Sequence, residues 1–245
     1  MIPSTPATVA AGSVSASPVA ACDTCGSPAA DATSHAADAV AFFDRIYADA
    51  EGDTERIPWS DGHAHPALVR WLDVVAPGLV RTGGRVVVPA CGFGADAIEV
   101  ARRGYDVTGF DAAPTALHWA RRLDPDGTVN WVEADLFRLP SRWRHRFDLV
   151  VEVNTVQALE PALRGRVLSA MSQLLAPHGR LLAIGRAAPD GEDPERQGPP
   201  WPLDPARLVT AAAEARLEPE GEVQCFTVAG DPERHCFRGL FRRSG

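Results

Sequence analysis

The amino-acid sequence predicts an α/β protein: a three-layer αβα sandwich around a mainly parallel seven-stranded sheet, finished by an antiparallel C-terminal hairpin. Three observations carry the prediction. Short β-branched or apolar runs alternate with helix-compatible stretches from Val86 onward, the order that builds parallel strands with covering helices. The run Phe147 to Val153 is almost wholly apolar, as a parallel strand buried on both faces must be. Two strand-like runs, Val223 to Val228 and His235 to Phe241, flank the turn sequence Gly230-Asp231-Pro232 and read as a hairpin.

Taken in order, residues 1–34 are rich in Ala, Ser, Thr and Pro. Such a segment buries too little apolar surface to offset its ordering entropy and is expected to be a disordered tail. Cys22-Asp23-Thr24-Cys25 within it lacks the second pair of a zinc site and the βαβ context of a redox motif, so it reads as two tail cysteines. Residues 35–80 are expected to form N-terminal helices that lie over the site as a lid. Val40, Phe42, Phe43, Ile46 and Tyr47 recur at helical spacing from about residue 36, and Pro58-Trp59-Ser60-Asp61-Gly62 breaks the pattern. A second helix begins near His65, carries Leu68, Val69, Trp71, Leu72 and Val75, and stops at Pro77-Gly78.

Residues 81–245 hold the alternating part. Strands are expected at 86–89, 106–110, 129–133, 147–153 and 180–185, with helices at 96–103, 114–123 and 161–175. Pro114 suits the first turn of its helix. The stretch 187–203 is dense in Pro, Gly and charge and reads as a long loop before a helix at 205–216.

Composition narrows the partners. The net charge is −8, every basic residue apart from histidine is arginine, and no dense arginine run forms a stripe. A surface that tracks phosphates needs clustered positive charge, so nucleic acid is not expected. No apolar run reaches the roughly 20 residues of a spanning helix. No basic residue precedes Arg45 to serve a secretory signal. Five cysteines form no disulfide framework. These point to a cytoplasmic protein, monomeric or homodimeric, away from membranes.

The chemistry concentrates at Arg85-Val-Val-Val-Pro-Ala-Cys-Gly-Phe-Gly-Ala-Asp96. Strand, glycine turn and helix follow one another, so a ligand can lie against the bare main chain beside unpaired helix amides. Gly92-Phe93-Gly94-Ala95-Asp96-Ala97 fits the Rossmann-like pattern G-x-G-x-x-A, which suits NAD and S-adenosylmethionine equally. Asp111, ending the next strand, can accept both hydroxyls of a ribose for either cofactor. Glu133-Ala134-Asp135-Leu136-Phe137 after the third strand offers a carboxylate and a backbone N–H to an adenine edge. That feature, with the terminal hairpin in place of a second βαβαβ half, favours S-adenosylmethionine.

With these residues in view, the chain from Val86 onward resembles a class I S-adenosylmethionine-dependent methyltransferase. The resemblance implies that Cys91, Gly92 and Gly94, with the flanking Pro89 and Ala112, cradle the cofactor. It also implies that Asp111 holds the ribose and that Asp135, Leu136 and Phe137 frame the adenine, with Glu152 and Asn154 near the methionine ammonium and the methyl group. A finer resemblance joins it to the thiopurine S-methyltransferase and thiol/halide methyltransferase group. Pro58-Trp59-Ser60-Asp61-Gly62-His63-Ala64-His65-Pro66 is similar to that group's P-W-x-x-G-x-x-x-P opening. Val86 to Gly94 is similar to its V-L-V-P-x-C-G-x-G, and Gly198-Pro199-Pro200-Trp201 to its G-P-P-[FY] loop. The analogy puts Trp59 and the 198–201 loop at the border of cofactor and substrate, with Trp59 touching both and Pro200 and Trp201 beside the substrate. One departure leaves the acceptor open: the group's D-R sequence after the fourth strand is replaced by Glu152-Val153-Asn154.

Candidate proton acceptors are His63, His65 and Glu152, the last because a carboxylate ending an apolar strand needs a partner. Cys91 reads as a small turn filler rather than a reactive thiol. His235-Cys236 lacks further ligands at metal spacing, and no metal is expected. A thiol is partly ionised near neutral pH and needs little base catalysis, whereas an aliphatic alcohol needs a true general base. The expected reaction is therefore methyl transfer to a small molecule, foremost to a thiol sulfur. An O- or N-acceptor, an NAD-dependent oxidoreductase and a non-catalytic cofactor-binding protein are the alternatives.

Overall fold

A computed structural model describes residues 28–57, 59–60, 62–188, 200–228 and 231–244. The tail before Pro28 with Cys22 and Cys25, together with Pro58, Asp61, Gly198, Pro199 and most of the 187–203 loop, lies outside the described residues.

The helices are α1 (Pro28–Ala50), α2 (Pro66–Val74), α3 (Ala76–Leu79), α4 (Ala95–Arg102), α5 (Pro114–Leu123), α6 (Thr155–Ala158), α7 (Arg164–Leu174) and α8 (Pro205–Glu214). The strands are β1 (Arg85–Pro89), β2 (Asp106–Asp111), β3 (Val129–Glu133), β4 (Phe147–Val153), β5 (Leu175–Arg186), β6 (Leu217–Pro219), β7 (Gln224–Val228) and β8 (Asp231–Arg243). They pair in the order β3-β2-β1-β4-β5-β8-β6, with β7 also on β8. The first five strands run parallel, and β8 is antiparallel to β5, β6 and β7.

The sheet therefore has eight strands where seven were expected. The extra one is β6, three residues immediately after α8, too short for an alternation to register. Two other boundaries moved. Helix α1 begins at Pro28, ahead of residue 36, because Pro28 suits a first helical position and the alanines after it are strong helix formers. Strand β5 begins at Leu175 instead of residue 180, pairing Leu175 with Phe147 before a register shift.

Each central strand is buried on both faces, as the apolar runs require. On β1, Val87 packs toward Phe110, Val167, Met171 and Leu208 on the α7–α8 side, while Val86 and Val88 pack toward Leu68, Trp71, Leu72 and Ile98 on the α2–α4 side. A third cluster lies above the carboxyl ends of β1 and β2. There Tyr47, Ala50 and Ile57 meet Phe93, Ala113 and Ala116, with Phe43, Ile46, Trp59 and Trp119 around them. Helix α1 is tied down by Asp44 Oδ1, which accepts from Thr115 N at the start of α5 (3.0 Å).

Candidate active site

The turn after β1 leaves ordinary backbone space. Ala90, Gly92 and Gly94 have φ of 46°, 54° and 83°, and the left-handed φ of Ala90 carries strain that a glycine would not. Cys91 N donates to Phe110 O (3.0 Å) and Gly92 N to Asp111 Oδ2 (2.9 Å), while Asp111 Oδ1 accepts from Ala113 N (2.9 Å). Asp111 is thus a brace between the glycine turn and the start of α5. Burial raises its pKa, and the amides of Ala113, Gly92 and Ala112 work against that rise. With three amides on about four lone-pair sites, the carboxylate keeps acceptor capacity for a further donor.

The two glycines do different things. A Cβ on Gly92 would lie 3.0 Å from the Tyr47 hydroxyl, so its absence keeps the turn open beneath that ring. A Cβ on Gly94 would run into the Trp131 indole, whose Nε1 donates to Asp124 Oδ2 (3.0 Å). Gly94 therefore also serves helix-to-sheet packing. The first bond of α4 is Ile98 N to Gly94 O (2.9 Å), so the amides of Ala95, Asp96 and Ala97 precede the helical ladder.

These residues border one cleft with two ends. The walls of the apolar end include Asp111, Ala112, Asp135, Leu136, Phe137, Asn154 and Pro200. The polar end is walled by Pro89, Cys91, Gly92, Gly94, Asp96, His63, His65 and Arg234. Tyr47, Trp59, Ala90, Val153 and Asn154 line both ends.

Three expected residues stand elsewhere or are otherwise engaged. Glu152 is not part of the described cleft wall. It is 1% exposed beneath α6, where Oε1 accepts from Val156 N (2.9 Å) while Oε2 has no hydrogen-bond partner. Burial pushes its pKa up to about 7 against the pull of the Val156, Thr155 and Ile184 amides. The chain leaves β4 at Val153, and the left-handed φ of Asn154 (61°) turns Asn154 into the cleft while Glu152 stays below. His65 edges the cleft but caps α2: Nδ1 accepts from Ala67 N (3.2 Å), which leaves the proton of the neutral ring on Nε2, 4.0 Å from Cys236 Sγ. Trp201 is absent from the cleft wall; its amide donates to Gln157 O (2.8 Å). His63 remains exposed at the mouth, with Nδ1 2.9 Å from Ala64 O. Burial drives the Cys91 thiol well up, followed by the effect of Asp111, which suits the filler reading.

Sequence reading passed over several wall residues. Tyr47 sits between Trp59 (6.1 Å between ring centroids, edge-on) and Phe93 (5.3 Å). Burial, then Asp111 and Cys91, raises its pKa, so the phenol keeps its proton. Thr155 and Arg234 also line the cleft. The sequence marked Tyr47 only as an apolar position of α1, and nothing local tied Arg234 to a site so far along the chain. Among the described residues no cluster of three His, Cys, Asp or Glu could hold a metal.

A cleft at the carboxyl ends of parallel strands, braced by a β2 carboxylate and closed by antiparallel strands instead of a second nucleotide-binding half, belongs to a known class. Fold and site together are those of the class I S-adenosylmethionine-dependent methyltransferases. The family model for thiopurine S-methyltransferase matches residues 49–228, and the chain belongs to that family. Thiocyanate methyltransferase 1 of Arabidopsis thaliana is 30% identical over 158 residues, covering 62% of this chain and 64% of that protein. The match thus spans less than two thirds of that relative's length. The 2-heptyl-1-hydroxyquinolin-4(1H)-one methyltransferase of Mycobacteroides abscessus is 28% identical over 171 residues, 62% of this chain and 73% of that protein. The solved structure reported for conversion of a disulfide bond into a thioacetal group during echinomycin biosynthesis superposes with a TM-score of 0.65 at 25% identity, covering 84% of this chain and 93% of that one.

Proposed function

We propose that the protein transfers the methyl group of S-adenosylmethionine to a small molecule, with a thiol sulfur as the acceptor. The observation that carries this reading is the continuous cleft running from Asp111 and the Asp135–Phe137 turn to Asn154, with the glycine turn at its other end. The donor set fits the cofactor. Asp111 accepts from the ribose with its remaining acceptor capacity, and Asp135, Leu136 and Phe137 frame the adenine. Gly92 N is committed to Asp111, so the amino-acid end of the cofactor falls to the N-terminal turn of α4.

The bound sulfonium supplies an electrophilic methyl group; the chain supplies alignment and a dry site. Phe43, Tyr47 and Trp59 close the cleft from above with edge-on ring packing. The apolar end contains no histidine among its described walls, and its carboxylates are Asp111 and Asp135. A thiol with a reference pKa of about 8.5 is partly ionised in water at neutral pH, so it can leave its proton in solvent before entering and needs no general base at that end.

A second reading, an acidic N–OH or phenolic oxygen as acceptor, draws on the likeness to the hydroxyquinolone methyltransferase; His63 at the mouth would take the proton. We place the protein in the cytoplasm, acting without nucleic acid in keeping with its net charge of −8. No helix among the described residues is long and apolar enough to cross a membrane. The test is release of S-adenosylhomocysteine with thiophenol, thiocyanate and phenol as acceptors. Turnover of the thiols above phenol is expected, and turnover confined to phenol would replace the thiol reading with the oxygen one.

A further inference from the structure

Between β5 and α8 the chain makes a long excursion, and both ends of it return to one side chain. Gln157, in α6, is fully buried. Its Nε2 donates to Arg186 O (2.6 Å) and Trp201 O (3.1 Å), and its Oε1 accepts from Arg186 N (2.7 Å). Its own main-chain oxygen accepts from Trp201 N (2.8 Å). Around this hub the two ends of the excursion also bond each other, through Leu203 N to Arg186 O (3.0 Å) and Ala188 N to Leu203 O (3.2 Å). Gly185 leaves the necessary room: a Cβ there would run into Gln157 Oε1.

The placement links two walls of the cleft. Thr155 and Ala158, on either side of Gln157 in α6, line the apolar end, and so does Pro200, which directly precedes Trp201. A carboxamide is suited to this junction, because it offers two donors and an acceptor in one plane without charge. An isosteric apolar side chain would strand Arg186 N and the Trp201 carbonyl away from water. Gln157 lies on neither described cleft wall itself.

We propose that Gln157 is a positioning residue that fixes the acceptor side of the cleft by locking Pro200 in register with Thr155 and Ala158. The inference rests on the methyltransferase reading above. Among the described residues, the junction's hydrogen bonds join Gln157 to Arg186 and Trp201, beside Pro200, and not to Asp111, the glycine turn or the Asp135–Phe137 segment, the proposed cofactor contacts.

Two variants of the full chain test it, Gln157→Met and Gly185→Ala, the second of which displaces the carboxamide without removing it. Three quantities are read: KM and kcat with thiophenol, the calorimetric Kd of S-adenosylmethionine, and the rate of trypsin cleavage after Arg186, whose main chain Gln157 holds. Both variants are expected to raise KM for thiophenol about tenfold, the equivalent of one lost buried hydrogen bond. Cofactor Kd should stay within about twofold. Cleavage after Arg186 should quicken about tenfold, since it follows the population in which the Gln157 junction is open. If Gln157→Met does not fold, Gly185→Ala carries the test alone. Unchanged KM and cleavage in a folded variant would overturn the proposal, and so would a cofactor Kd that rises in step with KM. A wild-type chain inert toward thiophenol would sink the thiol reading instead, and the cleavage rates would still decide whether Gln157 holds the segment.

Discussion

Glu152 and Gly94 show how single residues here serve the site from beneath it. Glu152 has a folded pKa of about 7 against an ordinary 4.5. Below about pH 4.5 both folded and unfolded chains hold the proton, and the group contributes no pH dependence. As pH rises toward 7 the unfolded chain ionises first, so stability falls, by about 3 kcal/mol once the folded carboxyl has also ionised. Glu152→Gln removes this loss. Urea unfolding at pH 5 and pH 8 should show the variant gaining on the wild type as pH rises; a gap that narrows toward pH 8 would contradict the assignment. Gly94 combines a left-handed φ of 83° with direct packing against Trp131. Gly94→Ala should cost about 3 kcal/mol, from backbone strain plus overpacking. An unchanged melting temperature would show that the cradle yields more readily than its contacts imply.

At the scale of elements, what was legible in the sequence follows from how local each signal is. The β-branched run Val86 to Val88, the glycine turn and the apolar Phe147–Val153 stretch are local signals, and β1, α4 and β4 formed where they indicated. Asp111 and the Asp135–Phe137 turn lie at strand ends, so placing the strands placed them, and the structure brings them to one cleft. Glu152 and Asn154 could not be separated in this way. Two positions apart on a strand they would share a face, and only the left-handed turn at Asn154 parts them. His65 looked like a base in a polar loop; its role as the cap of α2 depends on the ring meeting Ala67 N. Tyr47 joined the cleft through α1 folding back over β1 and β2, a long-range event with no trace in its own segment. Gln157 is the same case: its partners Arg186 and Trp201 belong to distant elements.

Across the whole molecule, the division of labour follows the sheet. The parallel strands β1 to β4 bring the proposed cofactor contacts to their carboxyl ends, and α1, α6 and Pro200 wall the same cleft on the side proposed for the acceptor. Membership of the thiopurine S-methyltransferase family agrees with that plan. The central claim is that Asp111 anchors S-adenosylmethionine in this cleft. Calorimetric titration of the cofactor into wild-type protein and into Asp111→Ala tests it most directly, with a melting curve to confirm that the variant is folded. Loss of hydrogen bonding to a charged group should weaken binding about a hundredfold or more. Equal affinity in the two proteins, or no binding by the wild type, would contradict the account.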